Sequence, residues 1–286
     1  MPSFEELGID RLRSALSFLE REPLRNLRII WALRRWGLFN LGLPEQGRYL
    51  TCGDSGGITG LIFLNNLGLL RWEAGGGNAT RLVECAVSAW GEPEALAGPE
   101  KDVEAVLKHL DALAGRVEHV EKERSLYLRD GDLRPVPGPA RIACEDDLED
   151  LVELEREMQR ELLGSRAAGW VIRSQLRRAV EDGVASVVRW KGKAVAKAEM
   201  DACTPGANEL GGVYTLPRYR RRGLASSACS LICQASLAGG RTVRLETQRE
   251  NEAALSFYTR LGFRELWPHL FVRIITDDRQ SASRKR

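Results

Sequence analysis

Residues 213–225 read VYTLPRYRRRGLA. Val213, Tyr214 and Thr215 suit a β-strand. Pro217 cannot donate to a ladder and ends it. Arg218, Arg220, Arg221 and Arg222 then crowd a short turn, and Gly223 permits a positive φ or a close backbone approach. Beyond it, ASSACSLICQASLAG (225–239) reads as a helix rich in small residues and closed by Gly239-Gly240. The first amides of a helix lack intrahelical acceptors and carry the positive end of its dipole, so this end favours an anion. The arginines add charge and forked donors suited to phosphate oxygens. Small side chains at Gly223, Ala225, Ser226 and Ser227 let a diphosphate reach the backbone. The stretch is neither a Walker loop, since GxxxxGK[ST] is missing, nor a GxGxxG turn, which needs two more glycines.

Bulk composition narrows the alternatives. Forty-two basic residues face forty acidic ones, leaving a net charge of +2, with a sequence pI of about 8.2. Only Tyr219 interleaves the arginines, so neither a nucleic-acid patch nor a nucleic-acid partner is expected. No apolar run approaches the ~20 residues of a membrane span. The N-terminus MPSFEELGIDRLRSALSFLERE has no apolar signal core, so a cytoplasmic protein without membrane attachment is expected. Six cysteines stand singly, apart from Cys229 and Cys233, whose spacing suits two buried side chains of one helix. His109, His119 and His269 lie far apart in sequence. Neither a metal cofactor nor a Ser-His-Asp triad is expected.

At 286 residues the chain is long enough for about two domains. Three prolines and two glycines in DGDLRPVPGPAR (130–141) mark a linker. The expected division is an α/β domain over 1–134, a second domain over 139–276 and a disordered tail over 277–286. The second domain reads as a strand at 140–145, helices at 146–162 and 170–183, and a hairpin from ASVVRW to AVAKAEMDA turning at Gly192. A strand at 208–217, the helix at 225–239, a strand at 241–247, a helix at 251–263 and a strand at 270–276 complete it. The first domain reads as helices at 4–20 and 23–36, strands in RYLTC, GITGLIFL and GLLRWEAG, helices in ATRLVECAVSAWG and EKDVEAVLKHLDALAG, and a strand in KERSLYLRD.

Arg220 to Ala225 fit the pattern R/Q-x-x-G-x-G/A between strand and helix. NEAALSFYTRLGF (251–263) fits N-x-x-A-x-x-x-Y-x-x-x-G-F, one helix and one strand later. Together these motifs resemble the GNAT N-acetyltransferase superfamily, over about Ala140 to Thr276. The resemblance implies a mixed α/β sheet of the GNAT acyl-CoA transferase fold. The first domain, which shares the order of elements but not the motifs, would be a degenerate tandem copy. Gly75-Gly76-Gly77 lacks the arginine and the spacing, so it reads as a cap or turn, and a second cofactor site is not expected.

The resemblance also implies acetyl-CoA as co-substrate and an amine as acceptor. The turn from Arg220 through Arg221, Arg222, Gly223, Leu224, Ala225 and Ser226 would hold the pyrophosphate. Val213, Tyr214 and Thr215 would offer backbone groups to the pantetheine arm and the developing oxyanion, and Asn251 would lie near the cofactor as well as capping its helix. Tyr258 would be the general acid that protonates the leaving thiolate. The base stays open among Glu209, at a familiar distance before the turn, and the rivals Glu199, Glu246 and Asp201. No histidine adjoins Ser226, Ser227 or Cys229 in sequence, so direct attack in a ternary complex is expected rather than an acyl-enzyme. A non-catalytic acyl-CoA sensor would keep the turn and dispense with acid and base, and transfer of a longer acyl group is a further alternative. The first domain would wall the acceptor cleft or form a homodimer.

Overall fold

The computed structural model describes residues 3–74, 78–110, 116–163 and 168–275. In chain order the first elements are β1 (Ser3–Glu6), α1 (Leu12–Leu19), α2 (Leu27–Trp36), β2 (Gly47–Asp54), β3 (Gly57–Asn65) and β4 (Leu69–Ala74). Then come α3 (Asn78–Trp90), β5 (Ala95–Pro99), α4 (Glu100–His109), β6 (Val117–Leu128) and β7 (Arg141–Ile142). They are followed by α5 (Leu148–Met158), a π-turn (Gln159–Leu163), α6 (Gly169–Glu181), β8 (Ala185–Trp190), β9 (Lys193–Cys203) and β10 (Ala207–Thr215). A 3-10 turn (Pro217–Tyr219), α7 (Leu224–Ala238), β11 (Thr242–Gln248), α8 (Glu252–Leu261) and β12 (Arg264–Ile274) complete the series.

Two compact units emerge. Unit 1 contains Met1–Ser125, Glu246–Glu250 and Leu266–Arg286, and unit 2 contains Leu126–Leu245 and Asn251–Glu265. The last strand therefore packs with the first part of the chain, a grouping that a linear cut at 134–139 does not draw. Within unit 1, strands follow the order β1-β2-β3-β4-β5-β12-β6. Leu270, Val272 and Ile274 of β12 join Leu50, Ile62, Leu70, Leu82 and Val103 in one buried core. The alternating residues Tyr49, Leu61 and Phe63 face a second core under α1 and α2. Unit 2 is built likewise, with β11-β10-β9-β8-β7 in order and a core on each face.

Several expected elements differ. Residues 3–6 form a strand, not the start of a helix, because β1 pairs antiparallel with Leu50–Gly53 and that ladder satisfies its backbone. The helix expected from residue 23 starts at Leu27. The strand expected at 140–145 shrinks to Arg141–Ile142, because the Asp147 carboxylate takes the Cys144 amide at 2.9 Å and turns the chain into α5. The helix expected over 100–115 is described only to His109, and residues 111–115, the Gly75–Gly77 cluster and the tail lie outside the described residues. Among the described residues, no helix is long and apolar enough to cross a membrane.

Candidate functional site

The motifs of unit 2 converge on β10. Its parallel register with β11 runs Ala207↔Thr242, Asn208↔Val243 and Glu209↔Arg244 and then stops, although β10 continues to Thr215. Glu209 and Arg244, the last partners, also form a buried ion pair at 2.6 Å. Glu209 is thus a clamp where the strands part.

On its other side β10 carries a bulge. Gly211 faces Glu199 and Tyr214 faces Lys197, so β10 accommodates an extra residue against β9. Gly212 has φ +55, and a Cβ there would collide with the Glu199 carboxylate and lie 2.6 Å from the Lys197 Nζ. A Cβ at Gly211 would overlap the Asp201 carboxylate. The glycine pair therefore makes room for charged side chains.

Those side chains form a buried triad. Lys197 is fully buried, with Nζ 2.8 Å from Glu155 of α5 and 3.0 Å from Glu199. Burial works against the lysine charge, but the two carboxylates outweigh it and raise its pKa. Burial pushes Glu199 up to about 7, against the pull of Lys197 and with help from Asp201 and Glu155. A carboxyl in that range can both take and return a proton near neutral pH.

The turn after β10 is distinctive. Arg221 adopts φ +58, an uncommon conformation for a non-glycine residue. Gly223 is left-handed at φ +75, and no atom lies within 4 Å of where its Cβ would stand. The first bond of α7 runs from the Ser227 amide to the Gly223 carbonyl at 2.9 Å. The amides of Leu224, Ala225 and Ser226 thus precede the intrahelical ladder. Val213 packs against the core, and the buried Thr215 Oγ1 has no hydrogen-bond partner among the described residues. Open space over Gly223, leading amides and this orphaned hydroxyl suit a diphosphate with a polar arm beside β10.

Not every arginine faces that space. Arg220 makes two 2.7 Å contacts with Glu161 of the π-turn, and its Nε donates to the Thr215 carbonyl at 3.0 Å. Tyr214 donates to the same carboxylate at 2.9 Å. Burial, then Glu161, pushes Tyr214 up to about 12. Arg220 is therefore a strut bracing the turn, and Glu161 is a participant for which the sequence reading had no motif. Arg218 and Arg222 lie over the Tyr219 ring, at 5.0 and 5.6 Å from its centroid.

Tyr258 sits on α8 between Phe257 and Phe263, with ring centroids 4.9 and 5.6 Å away. Burial, then Cys229, Cys233 and Asp201, raises the pKa of its hydroxyl, which has no hydrogen-bond partner among the described residues. Burial thus keeps this O–H neutral and makes it a weaker acid than a free tyrosine, while leaving it able to donate a hydrogen bond. Asn251 caps α8, its Oδ1 accepting the Ala254 amide at 3.0 Å. Of the carboxylates considered, Glu199 and Asp201 adjoin the bulge, Glu209 lies at the end of the β10–β11 pairing, and Glu246 belongs to unit 1.

Residues 148–263 match the family model described as Acetyltransferase (GNAT) family. The fold resembles that of a GNAT-family acetyltransferase from Colwellia psychrerythraea, with TM-score 0.62 and 13% identity, covering 96% of this chain and 100% of that one. A tandem GNAT protein from the clavulanic acid biosynthesis pathway aligns at TM-score 0.60 and 13% identity, covering 97% and 100%. A GCN5-related N-acetyltransferase from Sphaerobacter thermophilus aligns at TM-score 0.62 and 14% identity, covering 95% of each chain. No curated protein matches the chain significantly.

Proposed function

We propose, from the premise that residues 148–263 are a domain of the acetyltransferase (GNAT) family, that this chain transfers an acetyl group from acetyl-CoA to an amine. Membership supports acyl transfer from an acyl-CoA; the acetyl group, the amine and the residue roles are the reading argued below. The observation that carries it is the course of β10, which parts from β11 after Glu209, bulges at Gly212 and runs into the open turn at Gly223.

In this reading the amides from Arg221 to Ser226 hold the pyrophosphate, with Arg220 bracing the turn from behind. Val213, Tyr214 and Thr215 line the thioester arm, and an amide of this stretch receives the developing oxyanion. Glu199 removes the proton from the attacking ammonium, directly or through one water, and Lys197 and Glu155 hold it in place. Glu209 serves as the clamp rather than the base, because its pair with Arg244 ties β10 to β11 at the last residues of their register, whereas Glu199 lies against the bulge. Tyr258 donates its proton to the departing sulfur. When bound, acetyl-CoA supplies the activated acyl carbon. With Glu199 as base and Tyr258 as acid, direct attack needs no acyl-enzyme.

The test is free-thiol release with a panel of small amines, amino acids and peptides. Tyr258→Phe is expected to lower kcat about 10²- to 10⁴-fold and leave acetyl-CoA affinity nearly unchanged. Equal losses in both would make Tyr258 a packing residue. Tight acetyl-CoA binding with no turnover on any amine would favour the sensor reading, and faster turnover with longer acyl-CoAs would reassign the donor.

A further inference from the structure

Three segments of unit 1 bring one histidine between two glutamates. His269 of β12 is buried, with Nδ1 2.9 Å from Glu123 Oε2 on β6 and Nε2 3.2 Å from Glu246 Oε1 on β11. Donor atoms of the three residues all lie within 4.8 Å of one another. A second feature points to the same place. Ser125 follows Glu123 by two residues in β6, so its side chain leaves the strand on the same face. It is 0% exposed, and its Oγ has no hydrogen-bond partner among the described residues. Trp267 shares the His269 face of β12, and its buried Nε1 is likewise unpartnered among the described residues. Buried polar groups without partners are uncommon and call for an explanation.

We infer that Glu123, Glu246 and His269 form a binding site for a divalent first-row transition ion, with the Ser125 hydroxyl turned toward it. One imidazole nitrogen and two carboxylates suit zinc or its neighbours rather than calcium or magnesium, which prefer all-oxygen sets. Ligands about 2.0–2.2 Å from a tetrahedral ion lie about 3.2–3.6 Å apart; the Nε2–Glu246 separation of 3.2 Å falls in that range, and the three donor atoms, all within 4.8 Å of one another, close on an ion with a small side-chain adjustment. The ion would tie these three segments of unit 1 together as a structural clasp. The site lies outside the residues assigned to acyl transfer and does not depend on that assignment.

The test uses the untagged full chain, stripped with chelator, and Co²⁺ as an absorbing probe. One equivalent should bind with visible bands of a four- or five-coordinate site, and Zn²⁺ should displace it. Zn²⁺ at about a hundred times its Kd should raise Tm by about 5–10 °C. Glu123→Gln and Glu246→Gln should each weaken Co²⁺ binding at least tenfold, whereas His119→Gln, at an exposed histidine, should leave it unchanged. Absence of saturable Co²⁺ binding to the full chain would overturn the inference. So would equal binding by folded Glu→Gln variants, or loss of binding in His119→Gln.

Discussion

Glu199 owes its chemistry to neighbours that sequence spacing does not reveal. Lys197 is two residues away on the same strand, but Glu155 comes from a helix forty-four positions before Glu199. The bulge that turns Gly212 toward the carboxylate is set by register. The distance rule that favours Glu209 cannot anticipate that Arg244, thirty-five residues on, holds that carboxylate. The helix that carries Tyr258 was legible from its motif, and the packing of Tyr258 between two aromatic rings follows from that helix. If Glu199 is the base, kcat/KM should rise with pH through about 7 and level off above it, since only the ionised carboxylate accepts the proton. Glu199→Gln should abolish that limb and lower the plateau about 10²- to 10⁴-fold. An unchanged pH profile in the variant would move the role elsewhere. The linkage to stability has the opposite sense. The folded value lies above the unfolded one, so this group's contribution is complete below about pH 4 and fades as pH rises through about 7.

At the scale of elements, the strand–turn–helix at 207–238 was readable because proline, glycine and small residues each act locally. The four arginines drew attention as counter-charge, yet Arg220 is spent on Glu161 and Arg218 and Arg222 on Tyr219. Long-range pairing decides such matters, and the partner here sits in a π-turn fifty-nine residues earlier. β1 differs from the expected helix for a related reason, since FEEL favours a helix until β2 offers it a ladder. The bulge gives its own prediction. Gly212→Val puts a branched side chain at φ +55 against Glu199 and Lys197. It should destabilise unit 2 by about 1–3 kcal/mol through backbone strain alone, read from denaturant midpoints. It should also displace the pH limb assigned to Glu199. A stable variant with an unaltered pH profile would show that the bulge does not position the base.

Across the whole molecule, the two units repeat one plan. β2-β3-β4-α3-β5-α4 in unit 1 follows the order of β8-β9-β10-α7-β11-α8 in unit 2. In unit 1 the parallel register of β4 with β5 also ends early, at Leu70↔Leu96, while β4 continues to Ala74. The order of elements showed this duplication in the sequence. The placement of the last strand stayed hidden, because a strand's address depends on its partner and not on its own apolar pattern. Removing residues 266–286 should therefore unfold unit 1 rather than trim a tail. Leu270, Val272 and Ile274 are all buried in its core, and losing each costs about 1.5–3 kcal/mol, together comparable to a domain's entire stability. A melting profile identical to that of the full chain would refute this placement. The repeated plan does not imply a repeated site, since the sequence NEAALSFYTRLGF and the arginine turn have no counterpart in the first 125 residues. Calorimetry with acetyl-CoA addresses that claim most directly. The full chain should bind one equivalent, and Gly223→Glu, which sets a carboxylate in the open space of the turn, should bind none while keeping the fold. Two equivalents, or unchanged affinity in the folded variant, would contradict the assignment of residues 213–226 as the grip on the cofactor.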